Sequence, residues 1–284
     1  MKSSLSLRFS RSTAVSVLFS AFALAGTAQG VLFSNFNESG TTVNGYQDDF
    51  DGASLNPDWL EFDGNGDDGT LFALTGNGSL TMFPANGDPN KLLYNPATPY
   101  NSTVQEVVAL IRVEIDSPGD TDGFRGGVTT TSDTFTGQGF NLHFREPGQP
   151  GGSPFNNHFN LLNDQVAWGP FSAGDDWTVG NYKWLRIRRE LNGDGFNDVF
   201  GKVWDAGTSP EPAAWSITWD HDNFRAGLAG LATNSISGQG QFEVDYILIK
   251  ADDLPSIDVV PEPSSALLLG LAVTILGGRG RRRS

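Results

Sequence analysis

The chain predicts an all-β fold, a sandwich of two antiparallel sheets, on three observations. It carries 35 Gly and 15 Pro in 284 residues, and between residues 31 and 257 apolar side chains almost never recur at the 3.6-residue spacing of a buried helix face. Several stretches alternate apolar and polar residues one by one, the pattern of a strand with one face on a core. About a dozen such stretches follow at the short, even spacing of a sandwich or jelly roll.

The alternation is clearest in three places. In 138–145, Phe140, Leu142 and Phe144 oppose Asn141, His143 and Arg145; in 183–189, Leu185 and Ile187 oppose Trp184, Arg186 and Arg188. In 241–250, Phe242, Val244, Tyr246 and Leu248 oppose Glu243, Asp245, Ile247 and Ile249. Shorter strands are expected at 31–36, 46–50, 70–74, 79–83, 104–115, 125–131, 158–162, 199–204, 215–219 and 226–231. Gly- and Asp-rich loops separate them at 63–69, 116–123, 146–154 and 191–198. The domain is expected over 29–250, with a polar linker over 251–259.

Both ends of the chain read as targeting segments. Lys2, Arg8 and Arg11 precede an apolar stretch over 14–25, and Ala23-Leu24-Ala25 has the small-residue form of a cleavage site. Residues 1–28 are therefore expected to be a secretory signal peptide. At the other end, Val260-Pro261-Glu262-Pro263 leads into a thirteen-residue apolar run, 266–278, followed by Arg279, Arg281, Arg282 and Arg283. A comfortable membrane span needs about 20 apolar residues, so this run is short or transient, and the arginines favour the cytoplasmic side of the inner membrane. The box, the short run and Arg281-Arg282-Arg283 together resemble the PEP-CTERM sorting signal of Gram-negative bacteria, which an exosortase reads. That resemblance implies export to the cell envelope, cell surface or extracellular matrix, with transient membrane contact over 260–284.

With three basic residues in the leader and four in the tail, residues 31–257 keep 11 of the 18 Lys and Arg, but 31 of the 33 Asp and Glu. Such a surface repels nucleic acid and anionic lipid and suits hard cations held by oxygen-rich loops. An acidic surface that serves only solubility reads the same way. Cysteine is absent, which excludes thiol catalysis, Cys-ligated zinc and thioether haem attachment.

Three stretches of the domain carry a second resemblance. Residues 46–52 (Tyr-Gln-Asp-Asp-Phe-Asp-Gly), Leu55-Asn56-Pro57-Asp58-Trp59 and Gly78-Ser79-Leu80-Thr81-Met82 are similar to the opening of concanavalin A-like jelly rolls of the laminin G and glucanase type. Phe242-Glu243-Val244-Asp245-Tyr246-Ile247 resembles their last strand, and 184–189 with 201–204 resembles a hairpin of their bacterial extracellular modules. The resemblance implies a calcium site built from Asp49, the backbone of Gly78, and Asp245. A carboxylate inside an apolar strand supports it, because burial of that charge requires a partner or a cation. Loops beginning at Glu190 and Asp63 have early EF-hand spacing but lack the closing bidentate Glu.

Catalysis is not expected. The glucanase relatives use Glu-x-Asp-x-x-Glu, whereas here Glu114-Ile115-Asp116 is followed by Gly119 where the third carboxylate belongs, and glycoside hydrolysis needs a matched carboxylate pair. His143, His158 and His221 are scattered, and no Gly-x-Ser-x-Gly or His-Glu-x-x-His motif occurs. The remaining chemistry is glycan binding, which combines flat aromatic platforms with planar hydrogen-bonding groups. Asn141, His143 and Arg145 with Trp184, Arg186, Arg188, Lys202 and Trp204 would line one ligand face if their strands share a sheet. A hydrolase or lyase of the same fold, and a structural matrix protein without a small ligand, are the alternatives.

Overall fold

The structure is a computed structural model that describes residues 42–258, apart from 65, 67–69, 85–88, 99, 101, 117–124, 148–155, 165, 173 and 235–239. The signal peptide expected over 1–28, the strand expected at 31–36 and the sorting signal expected over 260–284 lie outside the described residues.

The described residues form antiparallel strands throughout. In chain order they are β1 (Thr42–Asn44), β2 (Tyr46–Asp48), β3 (Trp59–Phe62), β4 (Phe72–Leu74), β5 (Leu80–Met82), β6 (Asn90–Tyr94), β7 (Val104–Ile115), β8 (Arg125–Ser132), β9 (Phe140–Arg145) and β10 (His158–Asn163). They continue as β11 (Ala167–Ser172), β12 (Lys183–Leu191), β13 (Asn197–Asp205), β14 (Ile217–His221), β15 (Leu228–Asn234), β16 (Gln241–Ala251) and β17 (Ser256–Asp258). One sheet has seven strands in the order β11-β10-β9-β8-β15-β6-β3; the other has eight, with β14-β13-β12-β7-β16-β5-β4 in line and β2 added on β16. β1 pairs with β17, so the polar linker expected over 251–259 contains a strand.

The core lies between the sheets. β9 contributes Phe140, Leu142 and Phe144, β12 contributes Leu185 and Ile187, and β16 contributes Phe242, Val244, Ile247 and Ile249. Phe144 joins the layers: its ring centre is 4.8 Å from that of Phe159 in its own sheet and 5.6 Å from that of Phe242 in the opposite one. Burying a side chain of this size contributes about 2 kcal/mol. On β8, Gly126 makes the approach possible, since a Cβ there would run into the Phe242 ring.

Two departures from the expected pattern have physical causes. In β16 the register against β7 shifts between Val244 and Tyr246. A β-bulge reverses the alternation beyond it, so Ile247 and Ile249 face the core where Tyr246 and Leu248 were expected. β11 contains Gly169 and Pro170, which weaken its strand signal. It is nonetheless a strand because it lies at a sheet edge, where proline is tolerated.

Candidate functional site

The two halves of the ligand face expected from sequence lie on different sheets. Asn141, His143 and Arg145 are on β9 of the seven-stranded sheet; Trp184, Arg186 and Arg188 are on β12, and Lys202 and Trp204 on β13, of the eight-stranded sheet. Each set alternates with core residues and so points away from the core, to opposite outsides of the sandwich. Strand alternation was legible, but sheet membership depends on long-range pairing that no local pattern encodes.

On the outer face of the eight-stranded sheet Arg186, Arg188, Lys202 and Lys250 are already neutralised. Arg186 is fully buried and pairs with Glu106 and with Glu211, the latter at 2.5 Å. Lys202 shares Glu211 at 2.5 Å and lies 4.7 Å from the Trp215 ring centre. Arg188 pairs with Glu190 at 2.5 Å and with Glu106 at 3.1 Å, and Lys250 lies 3.7 Å from Glu106. Trp184 stacks on Trp204 at 6.1 Å, and each is only 8% exposed. This face is a closed network of paired charges and packed rings.

The outer face of the seven-stranded sheet is different. Register places Arg145 between Arg125 of β8 and His158 of β10, and His143 beside Asn160. The Trp168 ring from β11 folds over them, 4.1 Å from the Arg145 guanidinium carbon and 5.2 Å from that of Arg125. His143 is 2% exposed and Arg145 1%. Among the described residues neither His143 ring nitrogen and none of the three Arg145 guanidinium nitrogens has a hydrogen-bond partner. Buried donors left in this state cost about 1–3 kcal/mol each.

The adjacent part of this face is satisfied. Lys91 on β6 is fully buried and pairs with Asp164 at 2.7 Å, with contacts to Asn141 Oδ1 at 3.1 Å and Ser132 Oγ at 2.9 Å. Asn141 also donates to Asp164 at 2.7 Å. Asn141 therefore belongs to an internal network, which separates it from its strand neighbours His143 and Arg145.

The electrostatics follow from this crowding. Burial lowers the pKa of His143 well below the usual histidine range, and the charges of Arg125, Lys91 and Arg145 add to the effect. Burial, then Arg125, brings Arg145 down to about 9, with Glu146 acting in the opposite direction. Arg125 and Lys91 are lowered by burial and partly restored by Asp164. His143 is thus a neutral imidazole at pH 7 among buried cations.

Sequence reasoning did not single out Arg125, Trp168, Lys91 or Asp164 for this face. Arg125 was legible only as the start of a strand, and Trp168 was obscured by the Gly169-Pro170 break that follows it.

The expected calcium corner is only partly assembled. Asp245 is the bulge residue of β16 and is exposed, contrary to the burial anticipated for it. Its pKa is raised by partial desolvation, then by Glu243, Asp51 and Asp49. Gly78 has φ of 80°, and a Cβ there would collide with the Asp51 carboxylate. Among the described residues no three His, Cys, Asp or Glu side chains converge closely enough to hold a metal ion. Asp49 instead lines a cleft of about 420 Å³ with Tyr46, Asn56 and Tyr246, beside Asp48, which accepts from Tyr46 Oη at 2.7 Å and Trp59 Nε1 at 2.9 Å. Glu114 at the end of β7 pairs with Arg112 at 2.8 Å, as a strand-end charge does. The Glu190 loop forms the β12–β13 hairpin turn, with Asn192 and Phe196 joined through their backbones at 2.9 Å.

Neither a protein-family model nor a curated protein matches the sequence. Solved structures of similar architecture include the exoplasmic/lumenal domain of VIP36 in its Ca2+/Man3GlcNAc-bound form, at 9% identity and TM-score 0.47 over 80% of this chain and 92% of that one. They also include the carbohydrate recognition domain of Emp47p, at 12% identity and TM-score 0.46 over 74% and 95%. A third is the carbohydrate-binding module CBM66 from Bacillus subtilis, at 12% identity and TM-score 0.40 over 70% and 94%.

Proposed function

We propose that this protein is an exported, non-enzymatic glycan-binding module whose site is the outer face of the seven-stranded sheet around Arg125, His143, Arg145 and Trp168. One observation carries the reading: His143 and Arg145 are buried, yet present five side-chain nitrogens without a protein partner among the described residues. Buried polar groups are normally satisfied, so each exception calls for a functional or structural reason, a ligand among them. A ring beside planar donors is the combination that sugar recognition uses. Export rests on the sequence features of 1–28 and 260–284, with exosortase as the processing partner.

A glycan array followed by reducing-end detection tests the reading. Retention of a glycan without new reducing ends is expected, with retention lost in Arg145→Gln and unchanged in Glu114→Gln. New reducing ends would make the protein a hydrolase or lyase, and retention by neither wild type nor variants would leave the matrix-protein reading.

A further inference from the structure

We infer that the glycan held at this site is an acidic one, bound through a sugar carboxylate at Arg145 and Arg125. The inference rests on the glycan-binding reading and adds the charge of the ligand to it.

The protein supplies its own comparison. On the outer face of the eight-stranded sheet the cations face carboxylates: Arg186 and Lys202 share Glu211, while Arg186, Arg188 and Lys250 converge on Glu106. On the seven-stranded sheet, Lys91 takes Asp164, whereas Arg145 is stacked on Trp168 with none of its nitrogens bonded among the described residues. Arg125 has the same ring beside it, and its Nε is also unpartnered among the described residues. A chain with 33 acidic residues against 18 basic ones has carboxylates to spare, and pairs them with buried cations on one face and not on this part of the other.

A neutral sugar would give these donors hydroxyl acceptors but would add nothing to the partial compensation that Glu146 gives Arg145 and Asp164 gives Arg125. A carboxylate does both, because its two oxygens match the guanidinium fork. The Trp168 ring covers the guanidinium plane, which leaves the in-plane N–H groups for the ligand. His143 is ringed by Arg125, Lys91 and Arg145, with Asp164 paired to Lys91, Glu146 following Arg145 on the chain, and His158 across the strand pair. An anion entering that ring of charge offsets the repulsion of Arg125, Lys91 and Arg145 at the imidazole.

The test is calorimetry of the intact protein with oligogalacturonate, oligoglucuronate and alginate oligomers, each beside its carboxyl-reduced counterpart. At least one acidic oligomer is expected to bind, with affinity falling tenfold or more on carboxyl reduction and falling again as salt is raised. Arg145→Gln is expected to abolish binding, and Arg125→Gln to weaken it, with melting temperatures that do not fall. Equal affinity for acidic and carboxyl-reduced oligomers would overturn the acidic-ligand inference and leave the glycan reading standing. Failure of every oligomer, acidic and neutral, would overturn both.

Discussion

The Arg145 guanidinium lies 4.1 Å from the centre of the Trp168 ring and, among the described residues, donates no hydrogen bond. The pair consists of a buried charge held only by a ring face. A cation–π contact is worth about 2 kcal/mol when desolvated, less than the several kcal/mol that desolvating an ion costs. Arg145→Met should therefore keep or raise the melting temperature of the ligand-free protein, by on the order of 1 kcal/mol of stability. Differential scanning calorimetry checks this, and a clear loss of stability would mean that Arg145 is a structural residue.

Acid should destabilise the fold. Burial lowers the pKa of His143, His158 and His221 below the value each takes when unfolded, which is near 6.5. Below that value the unfolded chain binds protons that the folded chain refuses, so stability is full above about pH 6.5 and falls as pH drops towards the folded pKa values. Denaturant melts from pH 7.5 to 5 should show the decline, and His143→Asn should flatten part of it.

Glu106 is the hub of the opposite face, meeting Arg186, Arg188 and Lys250. Its replacement by Gln leaves buried cations uncompensated and should cost about 3–5 kcal/mol. Trp184→Ala should also destabilise, by about 3–5 kcal/mol, since its ring is packed against Trp204. Neither substitution should change the affinity of the folded protein for a glycan. A binding defect in Trp184→Ala without loss of stability would return the ligand site to the eight-stranded sheet.

Partial desolvation, then the charges of Glu243, Asp51 and Asp49, hold the pKa of Asp245 above the usual value. A raised carboxylate pKa lowers stability above that pKa, and the penalty disappears as pH falls through it. Asp245→Asn should therefore raise the melting temperature at pH 7 by a small amount, reduced by solvent screening, with no difference in the presence of a chelator. Calcium bridging these carboxylates would reverse the order, making wild type the more stable until chelator is added.

Deleting 260–284 should release the protein into the medium, if an exosortase reads that tail. Immunoblots of envelope and medium fractions check it, and retention of the truncated protein in the envelope would remove the sorting role from the tail.

The sequence by itself determined that the chain is all-β, where most strands run, and which side chains of β9 and β12 leave the core, because strand alternation is local and has a period of two. It also determined that His143 and Arg145 share a face. Tertiary structure decided the rest. Pairing between distant strands put β9 and β12 in opposite sheets, a bulge reversed the second half of β16, and an edge position made a strand of the Gly169-Pro170 segment. Above all, only the fold could show that Arg186 meets Glu106 while Arg145 meets no carboxylate partner among the described residues. Charge compensation is a property of neighbours in space, and Glu106 and Arg186 are 80 residues apart in the chain.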